Sequence, residues 1–237
     1  MRSAAIALII GSILSLPQTG SAATAERERI LLPVQAVMQP GAFGSIWNTT
    51  TSIYNAGGSS VMLFLPPTGA AREIAPGATI TDLHAGAVEV SADEADAIYI
   101  RTILRNVADP LDVGTAVSSV RPSGWQTGAL RVAGVPIIIG ARYRLRVFST
   151  SESVDLISVD VIDSNSGHTV FSSSGHLDGA LPWSRSEFDL GDPTSWSGAD
   201  ENARLVVRAE DDGAPLYALL STTDNVTQRV LLLTSDR

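Results

Sequence analysis

The sequence predicts an all-β protein in which two similar antiparallel β-sandwich domains, of an immunoglobulin-like or jelly-roll-like kind, follow one another in tandem. Short apolar or alternating runs are separated by turn residues at a spacing that is typical of sandwiches. No long run shows the apolar spacing of three and four residues that marks an amphipathic helix. The order of strand-like and turn-like segments in the first half also recurs in the second half.

The composition narrows the class of protein and its partners. Of the 237 residues, 44% are hydrophobic, which is enough to form a core. The formal net charge of −9 gives an acidic surface that repels phosphate backbones, so we expect no nucleic-acid partner. The chain has no cysteine, which excludes disulfides, thiolate metal sites and a cysteine nucleophile.

Residues 1–22 have the pattern of an export signal peptide. Arg2 supplies the positive charge, an apolar run follows from Ala4 to Leu16, and residues 20–23 are small enough for a cleavage site. The apolar run is too short to span a membrane comfortably, so we expect cleavage rather than anchoring. The sequence therefore predicts export to the periplasm or the extracellular space, with no integral membrane segment in the mature chain.

The first predicted domain covers residues 24–120 and is organised around Trp47–Leu65. In that stretch β-branched residues lead into a turn that contains two glycines, and an apolar run follows, so we expect a β-hairpin. The other predicted strands of this domain are Ile30–Val34, Ala87–Ser91, Ile98–Leu104 and a return strand over Val113–Val117.

Residues 121–128 form the predicted linker, because one proline and two glycines interrupt any regular pattern there. The second predicted domain covers residues 129–237. It repeats the plan with a similar hairpin unit over Arg142–Ile162, a long loop over Ser172–Asn202 and a C-terminal hairpin over Leu216–Thr234. Alternatively, the two halves share one continuous core, since a single sandwich can reach this length.

Matching segments in the two halves support an internal repeat. The pattern of Thr51–Tyr54 matches that of Leu145–Phe148, and each is followed by a turn and a long apolar strand. The later matches are Ile98-Tyr99 with Leu216-Tyr217, and Asn106-Val107 with Asn225-Val226. These matches are weak residue by residue, but their order along the chain is consistent.

The sequence offers little for catalysis or for a bound metal. It has no G-x-S-x-G motif, and the spacing of His168, His176 and Asp178 matches no known metal site. Asp163–Gly167 resembles half of a calcium loop, but these residues also favour a local Asx turn, which we prefer. Adjacent acids such as Asp93-Glu94 are typical of solvent-facing turns. We therefore predict no enzymatic activity, no cofactor and no metal site, with a glycan hydrolase that uses loop carboxylates as the enzyme alternative.

Three tryptophans are the candidate ligand-binding residues. Trp125, Trp183 and Trp196 lie in loop-like stretches, where exposed indole rings stack on sugars or anchor a protein partner. Alternatively, these rings plug the ends of the sandwiches, since large aromatic side chains more often bury than protrude.

One predicted strand carries a cationic face. Arg142, Arg144 and Arg146 alternate with three apolar residues, so the arginines share the side that points away from the core. That face either binds an anionic polymer or pairs with nearby acids, and we prefer the pairing.

Short motifs carry a resemblance to a known group of proteins. Ser221–Thr227 has the pattern S-x-x-D-N-x-T, Leu32-Pro33 lies in the first predicted strand, and Gly41–Trp47 has the pattern G-x-x-G-x-x-W. The chain thereby resembles uncharacterised exported bacterial proteins with tandem β-sandwiches. The resemblance implies this fold and an exported location, and it implies no activity.

Together these features predict a non-catalytic binding or adhesion module at the cell surface or in the extracellular space. Sandwich loops on a rigid scaffold commonly carry recognition, so the expected partner is a glycan or another surface protein. The alternative is a structural spacer or an assembly subunit, in which the C-terminal hairpin joins the sheet of another chain.

Overall fold

The computed structural model describes residues 26–151, 156–178, 184–196 and 202–235. The predicted signal segment 1–22 and Trp183 lie outside the described residues. The first strands are β1 (Arg27–Leu31), β2 (Gln39–Pro40), β3 (Ile46–Asn55), β4 (Val61–Leu65), β5 (Ala70–Ile74), β6 (Thr79–Ile80), β7 (Ala87–Ser91), β8 (Ile98–Asn106) and β9 (Thr115–Val117). The later strands are β10 (Leu130–Pro136), β11 (Ala141–Ser149), β12 (Leu156–Asp163), β13 (Thr169–His176), β14 (Ser184–Asp189), β15 (Asn202–Ala209), β16 (Leu216–Asp224) and β17 (Val230–Thr234). The described helices are short 3-10 turns at Ala42–Gly44, Ala95–Ala97, Pro122–Gly124 and Pro193–Ser195.

In the described residues the strands form four antiparallel sheets, so the all-β prediction is confirmed. The N-terminal sheet pair consists of the order β1-β7-β4-β5 and the order β2-β3-β8-β9, with β6 also paired to β3. The C-terminal sheet pair consists of the order β10-β15-β12-β13 and the order β14-β11-β16-β17. We call the last of these the β11 sheet.

Each sheet pair encloses its own apolar cluster. In the N-terminal sheet pair, Ile53 and Ile98 of one sheet belong to the same buried cluster as Leu63 and Val88 of the other. In the C-terminal sheet pair, the β11 sheet and its partner likewise share one cluster. Alternation produces this packing, because successive side chains of a strand point to opposite faces of the sheet.

The predicted hairpin over Trp47–Leu65 is wrong. The strand β3 pairs with β8, whereas β4 pairs with β5 and β7 in the opposite sheet, so the chain crosses from one sheet to the other. Asn55 fixes this crossing. Its buried side-chain amide donates to Ser59 O at 2.8 Å and to Ile74 O at 2.9 Å, and its Oδ1 accepts from Gly57 N at 2.8 Å. The unit over Arg142–Ile162 crosses in the same way, because β11 and β12 also lie in different sheets.

Two further boundaries differ from the prediction. The predicted loop Ser172–Asn202 contains most of β13 and the whole of β14. Its first serines pair with β12, and β14 pairs with β11. The first strand ends at Leu31 rather than Val34. The predicted β8–β9 and C-terminal β16–β17 pairings are confirmed.

The strand order of the N-terminal sheet pair recurs in the C-terminal sheet pair. The order β1-β7-β4-β5 corresponds to β10-β15-β12-β13, and β6-β3-β8-β9 corresponds to β14-β11-β16-β17. The register corresponds too, since Tyr54 faces Tyr99 across β3 and β8, and Phe148 faces Tyr217 across β11 and β16. We still predict, from the sequence, that the two halves are tandem domains that fold independently.

A third apolar cluster, the junction cluster, joins the two sheet pairs. Its buried residues are Leu31, Val34, Ala36, Ala87, Leu104, Val117 and Val120 from the first half, and Phe148, Tyr217 and Leu219 from the β11 sheet. The segment 121–128 runs beside it. Trp125 of that segment packs edge-on against Tyr217 with the ring centroids 6.4 Å apart. The end of the N-terminal sheet pair therefore rests on the outer face of the β11 sheet.

Candidate binding site

A cleft opens beside the junction cluster, between the two sheet pairs. Its cavity volume is about 160 Å³. The N-terminal sheet pair contributes Val34, Gln35, Ala36, Gln39, Pro40, Gly41, Trp47 and Leu104, and the C-terminal sheet pair contributes Arg142, Tyr143, Arg144, Arg146, Asp189, Ser221, Thr223 and Val230. Residues about a hundred positions apart in the sequence thus share one concave surface.

The outer face of β11 forms the floor of the cleft. Tyr143 and Leu145 are fully buried in the core, so alternation turns Arg142, Arg144 and Arg146 toward the cleft. The cationic face that the sequence predicts is therefore present, and part of it lies under the N-terminal sheet pair rather than in open solvent.

Two of these arginines share one acidic partner. Glu187 of β14 lies opposite Arg146 in the ladder. Its carboxylate is 3.1 Å from Nη1 of Arg144 and 3.6 Å from Nε of Arg146. Burial lowers the pKa of Arg146, while Glu187 opposes that change. A guanidinium stays charged at neutral pH, so one carboxylate faces two positive charges here.

Arg142 bonds only to neutral oxygens across the part of the chain that the structure describes. Its Nε donates to Oδ1 of Asn225 at 2.6 Å, and its Nη2 donates to Oε1 of Gln228 at 3.2 Å. Its Cζ also lies 5.7 Å from the centroid of the exposed Phe43 ring. Amide oxygens orient a guanidinium without cancelling its charge, so Arg142 is held in place with its positive charge uncompensated.

Trp47 belongs to the wall of the cleft that the N-terminal sheet pair contributes. It lies near the start of β3, pairs with Gln39 and is partly buried against the junction cluster. Gly41 allows the indole to lie close to the backbone, because a Cβ at this position would be only 2.5 Å from Nε1 of Trp47. The wall thus combines a positioned aromatic ring with the amide side chains of Gln35 and Gln39.

The charge of the lining is positive although the whole chain is acidic. Among the described lining residues, three are arginines and one, Asp189, is acidic. Oδ1 of Asp189 accepts a hydrogen bond from Gly191 N at 3.0 Å. The cleft therefore suits a small anionic group, which guanidinium groups bind through paired N–H donors.

Of the predicted ligand-binding tryptophans, the two that the structure describes, Trp125 and Trp196, do not line this cleft. Trp196 is 2% exposed, its Nε1 donates to Leu190 O at 3.0 Å, and its ring centroid is 4.8 Å from that of Tyr143. A ring so buried has no free face for a sugar. Trp125 is half-buried against Tyr217, and Trp183 lies outside the described residues, so its role stays a prediction. The burial of Trp196 fits the alternative, in which the ring packs into the sandwich, better than it fits ligand binding.

Sequence reasoning missed Trp47, the tryptophan that lines the cleft. The sequence places Trp47 at the start of a strand, and aromatic side chains in strands are usually core residues. The signal was its neighbourhood, since the G-x-x-G-x-x-W pattern places two glycines just before it. A glycine close to an indole allows the close approach that Gly41 makes.

The described residues contain no group of three side chains able to hold a metal ion. At the half calcium loop, Oδ2 of the buried Asp163 accepts from Ser166 N at 2.7 Å, which is the geometry of a local turn. In the described part of the chain no helix is long and apolar enough to cross a membrane.

Comparison of the chain with protein-family models, with curated proteins and with solved structures finds no match. The geometry of the cleft therefore carries the functional argument.

Proposed function

We propose that this protein is an exported, non-catalytic binding module of the periplasm or the extracellular space, and that its ligand is an acidic sugar bound in the cleft. The observation that carries the proposal is that Trp47 and three arginines line one cavity. An indole ring stacks on the apolar face of a sugar, and a guanidinium pairs with its carboxylate. We propose further that the two sheet pairs are tandem copies of one sandwich domain.

The size of the cleft restricts the ligand. Pockets that enclose a drug-sized ligand measure roughly 300–1,000 Å³. A cavity of about 160 Å³ suits one sugar ring rather than a whole oligosaccharide. A terminal or protruding uronic acid fits this size and the charge of the lining.

The acidic groups of the cleft favour binding over hydrolysis. Glycoside hydrolases use two carboxyl groups roughly 5–10 Å apart on either side of the bond that breaks. Among the described lining residues only Asp189 carries a carboxyl group. A glycan hydrolase is accordingly the weaker proposal.

The test is calorimetry with oligogalacturonate as the probe and neutral galactan oligomers of the same length as the reference. We expect the acidic oligomer to bind and the neutral one to bind at least about tenfold more weakly, since a lost charged hydrogen bond costs roughly 1.5–3 kcal/mol. Arg142→Gln is expected to remove most of this preference. Arg101→Gln, on an exposed position of β8, is the matched control and should bind as the wild type does.

Two results would contradict the proposal. One is equal binding, or no binding, of both oligomers by the wild type. The other is a loss in Arg101→Gln as large as that in Arg142→Gln, because the charge of the whole protein would then matter rather than the cleft.

A structural role as an assembly subunit remains the second candidate. Exposed apolar side chains in both sheet pairs, among them Tyr99 and Ile139, favour it.

A further inference from the structure

Each sheet pair has a cross-strand pair of aromatic residues, and the two pairs occupy corresponding positions. The ring centroids of Tyr54 and Tyr99 are 6.5 Å apart with an interplanar angle of 39°. The rings of Phe148 and Tyr217 are 6.3 Å apart with the same angle of 39°. Both pairs lie on the face that points away from the local core, since the neighbouring Ile53 and Val147 are buried inside.

The two pairs differ in whether they are covered. Phe148 is 4% exposed and Tyr217 6%, because the end of the N-terminal sheet pair covers them. Tyr54 is 41% exposed and Tyr99 64%. In the N-terminal sheet pair this surface, which we call the tyrosine face, therefore has no cover within the described part of the chain.

Part of the cover over Phe148 and Tyr217 comes from a connection that has a counterpart in the second half. The chain after β1 supplies Val34 and Ala36 to the junction cluster. The corresponding connection in the C-terminal sheet pair is residues 137–140, between β10 and β11. It leaves Ile138 38% exposed and Ile139 79% exposed. We call this surface the isoleucine end.

Charges at the two surfaces are complementary. Arg101 is exposed and lies two residues after Tyr99 on the same face of β8. Near the isoleucine end, the half-buried Asp192 accepts a hydrogen bond from Thr194 N at 2.9 Å, and its carboxylate lies close to the backbone of Gly140. One positive charge, that of Arg101, thus borders the tyrosine face, and one negative charge, that of Asp192, lies near the isoleucine end.

We propose that the tyrosine face of one copy of this protein binds the isoleucine end of a second copy. The contact repeats between copies the contact that the two sheet pairs make within one copy. It joins different surfaces of identical chains, so a dimer keeps one free surface of each kind and a further copy can add to it. The proposal is independent of the ligand in the cleft, because neither surface lines it.

The test is analytical ultracentrifugation of the purified protein over a wide concentration range. Four exposed side chains make a small contact, so we expect weak, concentration-dependent association beyond the dimer. Tyr99→Asp and Ile139→Asp are each expected to remain monomeric. A mixture of these two variants should form a dimer that grows no further, because it retains one intact tyrosine face and one intact isoleucine end that can meet.

Leu111→Asp is the matched control, since Leu111 is an equally apolar side chain, 86% exposed, outside both surfaces. It should associate as the wild type does, and circular dichroism should show all variants folded. A wild type that stays monomeric throughout overturns the proposal. So does association of Ile139→Asp with itself, which would mean that two tyrosine faces pair, and so does loss of association in Leu111→Asp.

Discussion

At the scale of single residues, the position of Trp47 depends on the absence of a side chain at Gly41. The backbone of Gly41 is extended, with φ −109°, so alanine fits its dihedral angles. The conflict is steric, because the added Cβ would clash with Oγ of the buried Ser45 and would lie 2.5 Å from Nε1 of Trp47. We expect Gly41→Ala to displace the indole, to shift its fluorescence and to lower the free energy of unfolding by about 1–3 kcal/mol, the usual range for overpacking.

Gly58→Ala is the control for this prediction. A Cβ at Gly58 would have no other heavy atom within 4 Å, so we expect its free energy of unfolding in urea to stay within about 0.5 kcal/mol of the wild type. If Gly41→Ala matched the wild type in both fluorescence and stability, Trp47 would not pack against this glycine in solution.

The tryptophans also show that the local sequence predicts the secondary structure around a residue better than it predicts the contacts of its side chain. The sequence places Trp196 in a loop, and it does follow the 3-10 turn Pro193–Ser195. Its burial depends on Tyr143, more than fifty positions earlier in the chain, which offers the ring it packs against. Trp47 lies in a strand, and the arginines that make it a cleft residue come from β11. Such contacts between distant segments leave no local pattern to detect.

At the scale of elements, alternation predicted the strands well and their pairing less well. Tyr143, Leu145 and Val147 of β11 are all fully buried, as the alternating sequence predicts. The same pattern does not tell which strand is the neighbour. A glycine-rich turn such as 55–60 is compatible with a hairpin and with a crossing between sheets. The crossing is stabilised by the buried Asn55, whose side-chain amide donates hydrogen bonds to Ser59 O and Ile74 O.

The turn between β16 and β17 is held by one carboxylate. Oδ1 of Asp224 accepts from Val226 N at 2.7 Å and from Thr227 N at 2.8 Å. These bonds, that of Thr227 first, lower the pKa of Asp224 below its ordinary value of 3.8. Because the folded pKa is lowered, the stabilisation is complete above the unfolded value and is lost as the pH falls through the folded one.

We therefore expect Asp224→Ala to speed hydrogen exchange at the amides of Val226 and Thr227, and Asp224→Asn to restore part of their protection. Hydrogen exchange followed by NMR near neutral pH measures both. Asp212→Ala, in the turn before β16, is the control and should leave these two amides unchanged. Equal protection in all three variants would mean that the backbone alone forms the turn.

At the scale of the whole molecule, the contact between the two sheet pairs at the junction cluster creates the cleft. The recurrence of segments along the sequence has a counterpart in the equal strand order of the two sheet pairs. The cleft has no such sequence signal, because it exists only where the end of one sheet pair meets the outer face of the other. The predicted linker region takes part in this contact, since Gln126 pairs with Leu216 of β16.

The ionisation of Tyr217 depends on the packing of the two sheet pairs at the junction cluster. Burial in the junction cluster raises its pKa from 10.0 to about 12. A raised folded pKa means that the neutral phenol stabilises the fold fully below pH 10 and that this stabilisation disappears as the pH rises toward 12. The folded pKa of Tyr217 lies about two units above the unfolded value, so the free energy of unfolding falls by about 2 kcal/mol by pH 11.5.

We expect urea unfolding at pH 9 and at pH 11.5 to show a loss of stability in the wild type that is about 2 kcal/mol larger than in Tyr217→Phe, which has no proton to lose. The second variant is Tyr99→Phe, because Tyr99 occupies the corresponding position of β8 but is 64% exposed. Its pH dependence should match that of the wild type. If Tyr217→Phe also matched the wild type, the phenol of Tyr217 would be open to water, and the two sheet pairs would not pack on one another through the junction cluster. A difference confined to Tyr217→Phe instead ties alkaline unfolding to the separation of the two sheet pairs, and so to the loss of the cleft between them.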